Sequence, residues 1–174
     1  MKTLRGLSFT LLSARHNKAQ FDCGVPCLNH YLAEYAGQDI RERFTQCYAA
    51  ADNDNNVLGF YTLSSYAVNI NALTASASQK LPRYPTVPTA LLGRLAVDLR
   101  YQGKGLGGSL IVDAIYNTQR SAIGVWAINA RVKNASAKSF YIKYGFYSFE
   151  KNQQSLYLPL HSDITRNISF LNLL

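Results

Sequence analysis

The amino-acid sequence predicts a mixed α/β fold, a twisted central sheet of about six to seven strands flanked by four helices. Three observations point there. Short apolar runs with a strand pattern alternate with runs whose apolar residues recur every three or four positions. In the middle of the chain, the apolar run Leu91 to Leu99 leads through a glycine-rich turn, Arg100 to Gly108, into the helix-like run Ser109 to Tyr116. The 174 residues, 48% of them hydrophobic, suffice for one well-filled core and fall short of two ordinary domains. A single domain over residues 1–160 with a C-terminal tail over 161–174 is the expected division.

Leu7 to Leu12 reads as the first strand. Pro26 suits the first turn of a helix, and Cys27, Leu28, Tyr31, Leu32, Tyr35 and Ala36 follow at helical spacings. Gly37 is expected to break that helix, with Gln38 to Phe44 forming a second one. Gln46 to Ala51 and Val57 to Tyr66 read as strands around the turn Asp52-Asn53-Asp54-Asn55-Asn56. Between Ala67 and Ala90, Pro82, Pro85 and Pro88 argue against a helix or a central strand, and an irregular segment lining an open cleft is expected. The central strand, the glycine turn and its helix come next. Gly124 to Arg131 is the following strand, and Ala135 to Tyr144 is a helix ended by Gly145. Phe146 to Glu150 and Ser155 to Leu158 form a closing hairpin. The tail carries Phe170, Leu171, Leu173 and Leu174, which leaves both docking on a neighbour and a frayed end open.

Composition narrows the class. Eighteen Lys and Arg face ten Asp and Glu, a net charge of +8. The excess is spread far beyond the glycine turn, which fits a nucleic-acid partner better than one small anionic cofactor; a generally basic protein is the plain alternative. No apolar run approaches the roughly 18–20 residues that cross a bilayer, and the N-terminus lacks the apolar core of a signal peptide. A cytoplasmic protein without membrane association is expected. Cys23, Cys27 and Cys47 have no histidine or further cysteine at zinc-ligand spacing, so reduced, mostly buried thiols and no metal site are expected.

The glycine turn carries the chemistry. A strand-to-helix turn of this kind aims several main-chain N–H groups at one spot, in front of the positive end of a helix dipole, and suits a phosphate or pyrophosphate. A P-loop is excluded because Ser109 stands where its lysine is needed. The dinucleotide pattern is met literally by Gly103, Gly105 and Gly108, but the next strand supplies no acidic residue about 20 positions on. The remaining pattern, Arg/Gln-x-x-Gly-x-Gly/Ala, is matched by Arg100, Gly103 and Gly105. It resembles the pyrophosphate loop of the GCN5-related N-acetyltransferases, the GNAT superfamily. A second stretch, Asn134-Ala135-Ser136-Ala137-Lys138-Ser139-Phe140-Tyr141-Ile142-Lys143-Tyr144-Gly145-Phe146, resembles that superfamily's downstream motif, and the order of elements resembles its topology.

The resemblance, which covers about Leu7 to Pro159, implies an acetyl-CoA-dependent N-acetyltransferase. It implies that the main chain at Leu95, Ala96 and Val97 pairs with the pantetheine arm, the thioester oxygen near the Val97 N–H. The pyrophosphate is expected on Arg100, Gln102, Gly103, Lys104, Gly105, Leu106, Gly107 and Gly108, with further cofactor contacts from Asn134, Ser136 and Tyr141. Tyr141 is the expected general acid for the departing thiolate, its bland alternative being an aromatic packing residue. Asp98, at the strand end, reads as structural rather than catalytic.

Within the superfamily the chain resembles the acetyltransferase toxins of bacterial toxin–antitoxin pairs. The residues are Phe21-Asp22-Cys23-Gly24, Leu28-Asn29, Tyr31-Leu32, Ala36, Gln38-Asp39, Leu63-Ser64 and Leu92-Gly93-Arg94-Leu95-Ala96-Val97-Asp98. This implies acetylation of the α-amino group of aminoacyl-tRNA, arrest of translation, a ribbon-helix-helix antitoxin and a homodimer. Arg41, Arg43 and Arg94 are candidate RNA contacts, since a guanidinium grips phosphate with two donors. An acetyltransferase acting on a protein N-terminus or a small-molecule amine is the competing enzyme, and a regulatory module that binds coenzyme A or nucleic acid without catalysis is the competing class.

Overall fold

In the computed structural model, which describes residues 6–160, strand β1 (Ser8–Leu11) is followed by helix α1 (Pro26–His30), a π-helical turn (Tyr31–Tyr35) and α2 (Ala36–Arg41). Strands β2 (Gln46–Ala51) and β3 (Val57–Asn69) come next, then a short 3-10 turn (Ile70–Ala72), α3 (Ala75–Ser78) and β4 (Thr86–Val97). A second 3-10 turn (Leu99–Tyr101) precedes α4 (Leu106–Gln119), β5 (Ala127–Arg131), α5 (Ala135–Lys143), β6 (Tyr147–Ser148) and β7 (Ser155–Pro159). The expectation for the tail falls at 161–174, outside the described residues. The seven strands form one sheet in the order β1-β2-β3-β4-β5-β7-β6. The pairs β1–β2, β2–β3, β5–β7 and β6–β7 are antiparallel and β4–β5 is parallel, a mixed sheet of the kind the family resemblance implies.

Contacts divide the described residues into two units, one holding residues 6–64 together with Gly93–Ala114, the other holding Ser65–Leu92 and residues 115–160. In the first, Leu32 and Ala36 are buried with Cys47, Ala49, Val57, Phe60 and Phe21. The Phe21 ring meets Phe60 edge-on at 5.5 Å, and Tyr31 stacks on Phe60 at 6.2 Å. The helical segment departs from expectation. Gly37 does not break it: helical structure continues from Pro26 to Arg41 through the π turn. A glycine inside a helix costs about 1 kcal/mol, and burial of Tyr31, Leu32 and Ala36 on the core side outweighs that. The π turn shifts the hydrogen-bond register, and Lys18 Nζ donates to the carbonyls of Leu32 at 3.2 Å and Ala33 at 3.0 Å.

In the second unit, Val68, Leu73, Val87, Phe149 and Tyr157 form the core, with Trp126 stacked on Tyr157 at 6.0 Å. Here the proline-rich segment corrects the sequence reading. It contains a 3-10 turn and α3, and β4 begins at Thr86, with Pro88 inside the strand. Proline lacks a donor but keeps its acceptor, and the Pro88 carbonyl accepts the Trp126 N–H at 2.8 Å. Strand β5 begins at Ala127 rather than Gly124, and α4 is longer than the run Ser109 to Tyr116.

Candidate active site

Strand β4 pairs with β5 from Thr89↔Ala127 to Leu92↔Ala130, then runs on through Leu95 and Ala96 to Val97. The stretch expected to meet the pantetheine arm therefore lies past the end of the parallel ladder. At its end the buried Asp98 carboxylate organises the turn. Oδ1 accepts the Arg100 main-chain N–H at 3.0 Å, so Asp98 caps the 3-10 turn, and Oδ2 accepts the Asp22 N–H at 3.1 Å. The Arg100 guanidinium closes on the same carboxylate, Nε to Oδ1 at 2.7 Å and Nη2 to Oδ2 at 2.9 Å. Burial alone would raise the Asp98 pKa, but the hydrogen bonds from the Arg100 side chain and from the two main-chain donors outweigh it, and the group sits below its ordinary value.

The polar side chains of the turn are thus bound to Asp98 and to nearby main-chain carbonyls of the protein itself. Arg100 also donates to Gln20 O at 3.3 Å, Gln102 Nε2 donates to Val97 O at 2.9 Å and Cys23 O at 3.1 Å, and Lys104 Nζ donates to Arg100 O. What the turn offers outward is main chain. Gly103 and Gly105 have φ of +70° and +88°, the left-handed region in which a side chain is strained. A Cβ built on Gly103 meets nothing within 4 Å among the described residues, which leave the space over the turn open. Gly107 and Gly108 fall in the first turn of α4, whose leading N–H groups have no intrahelical acceptor. Open space, left-handed glycines and a helix N-terminus fit a pyrophosphate.

In the second unit, Asn134 caps α5, its Oδ1 accepting the Ala137 N–H at 2.8 Å, and Ser136 is exposed in the first turn. The side-chain oxygen of Asn134 is therefore committed to the helix. Tyr141 is 7% exposed, with Phe140 and Phe146 edge-on to its ring at 5.4 and 5.1 Å. Burial pushes its phenol well above the ordinary tyrosine value, so it stays protonated at neutral pH. Gly145, at φ +88°, closes the helix and directs the chain to Phe146.

The candidate RNA-binding arginines differ in setting. Arg41 and Arg43 are exposed, and Arg43 has φ +61° just beyond α2. Arg94 lies over the Tyr31 ring at 3.6 Å, and the Tyr31 hydroxyl donates to Asp39 Oδ2 at 2.9 Å. Arg94 therefore has a structural partner in its own unit. Of the three cysteines, Cys23 and Cys47 are buried and Cys27 is exposed. Burial pushes the Cys47 thiol up to about 12, which leaves it inert.

Residues 43–148 match the acetyltransferase (GNAT) domain family. Over 137 residues the chain is 33% identical to a tRNA-acetylating toxin of Mycobacterium tuberculosis, covering 78% of this chain and 81% of that protein. Among solved structures it matches AtaT complexed with acetyl-methionyl-tRNAfMet at a TM-score of 0.83 and 29% identity, over 95% of this chain and 99% of that one. It also matches a tyrosine-to-phenylalanine mutant of the AtaT toxin bound to acetyl-CoA and the C-terminus of the antitoxin AtaR, at a TM-score of 0.76 and 25% identity, over 96% and 98% of the two chains.

Proposed function

This chain belongs to the GNAT acetyltransferase family, and on that premise we propose that it transfers the acetyl group of acetyl-CoA to the α-amino group of aminoacyl-tRNA. Blocking that amine stops translation, and the protein is the toxin of a toxin–antitoxin pair. The observation that carries the donor half is the turn after β4: two left-handed glycines, open space, and a helix N-terminus behind them. The acceptor half is supported by the relatives, one a tRNA-acetylating toxin and one solved with acetyl-methionyl-tRNA, and by the net charge of +8.

In this reading the main-chain amides of Gly103 to Gly108 hold the pyrophosphate. Arg100, Gln102 and Lys104 stiffen the turn through their bonds to Asp98 and to nearby main-chain carbonyls, and Leu95 to Val97 present main chain to the pantetheine arm. The free amine attacks the thioester carbonyl, the carbon–sulfur bond breaks, and the amine gives up a proton to solvent. Tyr141 gives its phenolic proton to the departing thiolate and regains one from solvent. The α-amine of an ester is a weaker base than lysine, with a reference pKa of about 7.7–8.0 before the ester lowers it, so it needs no strong carboxylate to deprotonate it.

The partners in this reading are charged tRNA and a ribbon-helix-helix antitoxin, and the protein acts as a homodimer in the cytoplasm; among the described residues no helix is long and apolar enough to cross a membrane. Incubation with labelled acetyl-CoA and a mixture of charged tRNAs tests the reading. Label is expected on the RNA, released by mild alkali as N-acetyl amino acid. Label found only on protein N-termini or small amines overturns it.

A further inference from the structure

The last pair of the β4–β5 ladder is Leu92↔Ala130, and Gly93 to Val97 carry β4 on beyond it with β3 as the neighbour on the other side. There the Arg94 main-chain N–H donates to a side chain, Thr62 Oγ1, at 3.1 Å. A strand N–H ordinarily goes to a carbonyl of the adjacent strand, so a hydroxyl in that place is a local departure from the ladder. Thr62 is 2% exposed, which keeps water from competing for the bond.

Gly93 makes the contact possible. A Cβ built on it would lie 3.2 Å from the same Thr62 Oγ1, tighter than ordinary packing, so a side chain at 93 would press the hydroxyl off the Arg94 N–H. Arg94 is fixed at its other end as well: its guanidinium lies over the Tyr31 ring at 3.6 Å, and the Tyr31 hydroxyl donates to Asp39 Oδ2 at 2.9 Å. Past Val97, the Asp98 N–H donates to Leu58 O of β3 at 2.8 Å. Leu95 to Val97 therefore lie between two fixed points, the Thr62 hydroxyl and the Leu58 carbonyl. β3 is close between them, since a Cβ on Gly59 would meet Ala96 O at 3.2 Å.

We propose that Thr62 is a positioning residue for acetyl transfer: through the Arg94 N–H, its hydroxyl sets where the main chain of Leu95 to Val97 holds the thioester. This rests on the reading above in which those residues meet the pantetheine arm. The grip on the pyrophosphate comes from the glycine turn beyond Asp98, so Thr62 acts on the reacting end of the cofactor and little on its affinity. A misplacement of about 1 Å at a reacting centre costs up to about 10²-fold in rate.

The native protein, Thr62→Val, Thr62→Ser and Gly93→Ala are compared by coenzyme A calorimetry, single-turnover transfer from labelled acetyl-CoA to charged tRNA, and hydrogen exchange at the amides of Arg94 to Val97. Thr62→Val keeps the side chain's shape and leaves the Arg94 N–H without its acceptor. It is expected to slow transfer by about tenfold or more while coenzyme A affinity stays within about threefold. Thr62→Ser, which restores the hydroxyl, should recover transfer to within about threefold of native, and Gly93→Ala should slow it. If Thr62→Val does not fold, Gly93→Ala decides alone, and native-like transfer in it overturns the proposal. Native-like transfer in Thr62→Val, a Thr62→Ser variant as slow as Thr62→Val, or a loss of affinity equal to the loss of transfer also overturns it. If the native protein binds coenzyme A but acetylates none of the charged tRNAs, the aminoacyl-tRNA reading has failed, and exchange then decides the role of Thr62. Acetyl-CoA is expected to slow exchange at Leu95 to Val97 in the native protein and Thr62→Ser and not in Thr62→Val; equal slowing in all three overturns the proposal.

Discussion

Replacing Asp98 by alanine takes one carboxylate away from four donors: the Arg100 N–H at 3.0 Å, Arg100 Nε at 2.7 Å, Arg100 Nη2 at 2.9 Å and the Asp22 N–H at 3.1 Å. The two main-chain donors matter most. Each loses its acceptor beside a group that is 1% exposed, and an unsatisfied donor at such a place costs about 1–3 kcal/mol. The guanidinium matters less, because the Arg100 side chain is 52% exposed and a pair at that exposure contributes about 0–1 kcal/mol. Asp98→Ala should therefore cost about 3 kcal/mol and Arg100→Ala below about 1 kcal/mol. Urea unfolding of both variants measures the difference; with a slope of about 1–3 kcal/mol/M, the first midpoint should fall by about 1–3 M and the second should barely move. The acid limb gives an independent reading. A carboxylate whose folded pKa is depressed stabilises the protein above its unfolded value of about 3.9, and the stabilisation is lost as pH falls through the folded value. That part of the acid sensitivity should be missing in Asp98→Ala. An Arg100→Ala variant as damaged as Asp98→Ala would refute the view that the carboxylate, rather than the ion pair, organises the turn.

Two further outcomes follow from the same geometry. Because burial holds the Tyr141 phenol above its ordinary value, kcat/KM should rise as the α-amine deprotonates below about pH 8 and should not decline until beyond about pH 10. A descending limb below about pH 9 in the pH–rate profile would contradict the assignment. Gly103→Val should cost about 1–2 kcal/mol through backbone strain alone, since φ is +70° and no atom of the described residues lies within 4 Å of its Cβ. Calorimetry should then show weakened binding of coenzyme A, with Gly103→Asn less affected because asparagine tolerates the left-handed region; unchanged affinity in the valine variant would count against the turn.

Much of this fold could be read from one sequence because its punctuation is local. The acidic turn around Asn53 sets the β2–β3 hairpin, and Gly145 ends α5; both signals act within a few residues. Where local signals and burial disagreed, burial won. Gly37 looked like a helix break, yet Ala36 beside it is 0% exposed and the helical path continues. Pro88 looked like an obstacle to a strand, yet only its donor is missing, and its acceptor side is used by Trp126. The glycines of the candidate site were legible because positive φ selects their residue type. The bonds that tie Arg100, Gln102 and Lys104 to Asp98 and to nearby main-chain carbonyls were not, since nothing in a motif says whether a polar side chain points at a ligand or back at its own protein. The Asx cap at Asp98, a strand-end aspartate two residues before an arginine, was the available signal for that arrangement. Asn129 carried no signal at all: nothing in the sequence says that its buried side-chain oxygen has no hydrogen-bond partner among the described residues.

The account turns on Tyr141 as the group that returns a proton to the thiolate, and the conservative Tyr141→Phe variant tests it most directly. Binding of coenzyme A by calorimetry and single-turnover acetylation of charged tRNA should be measured on the same preparation. Affinity and folding are expected to match the native protein, while transfer falls by about 10²-fold or more, the usual contribution of a positioned acid. Transfer within about tenfold of the native rate, with coenzyme A still bound, would contradict the account.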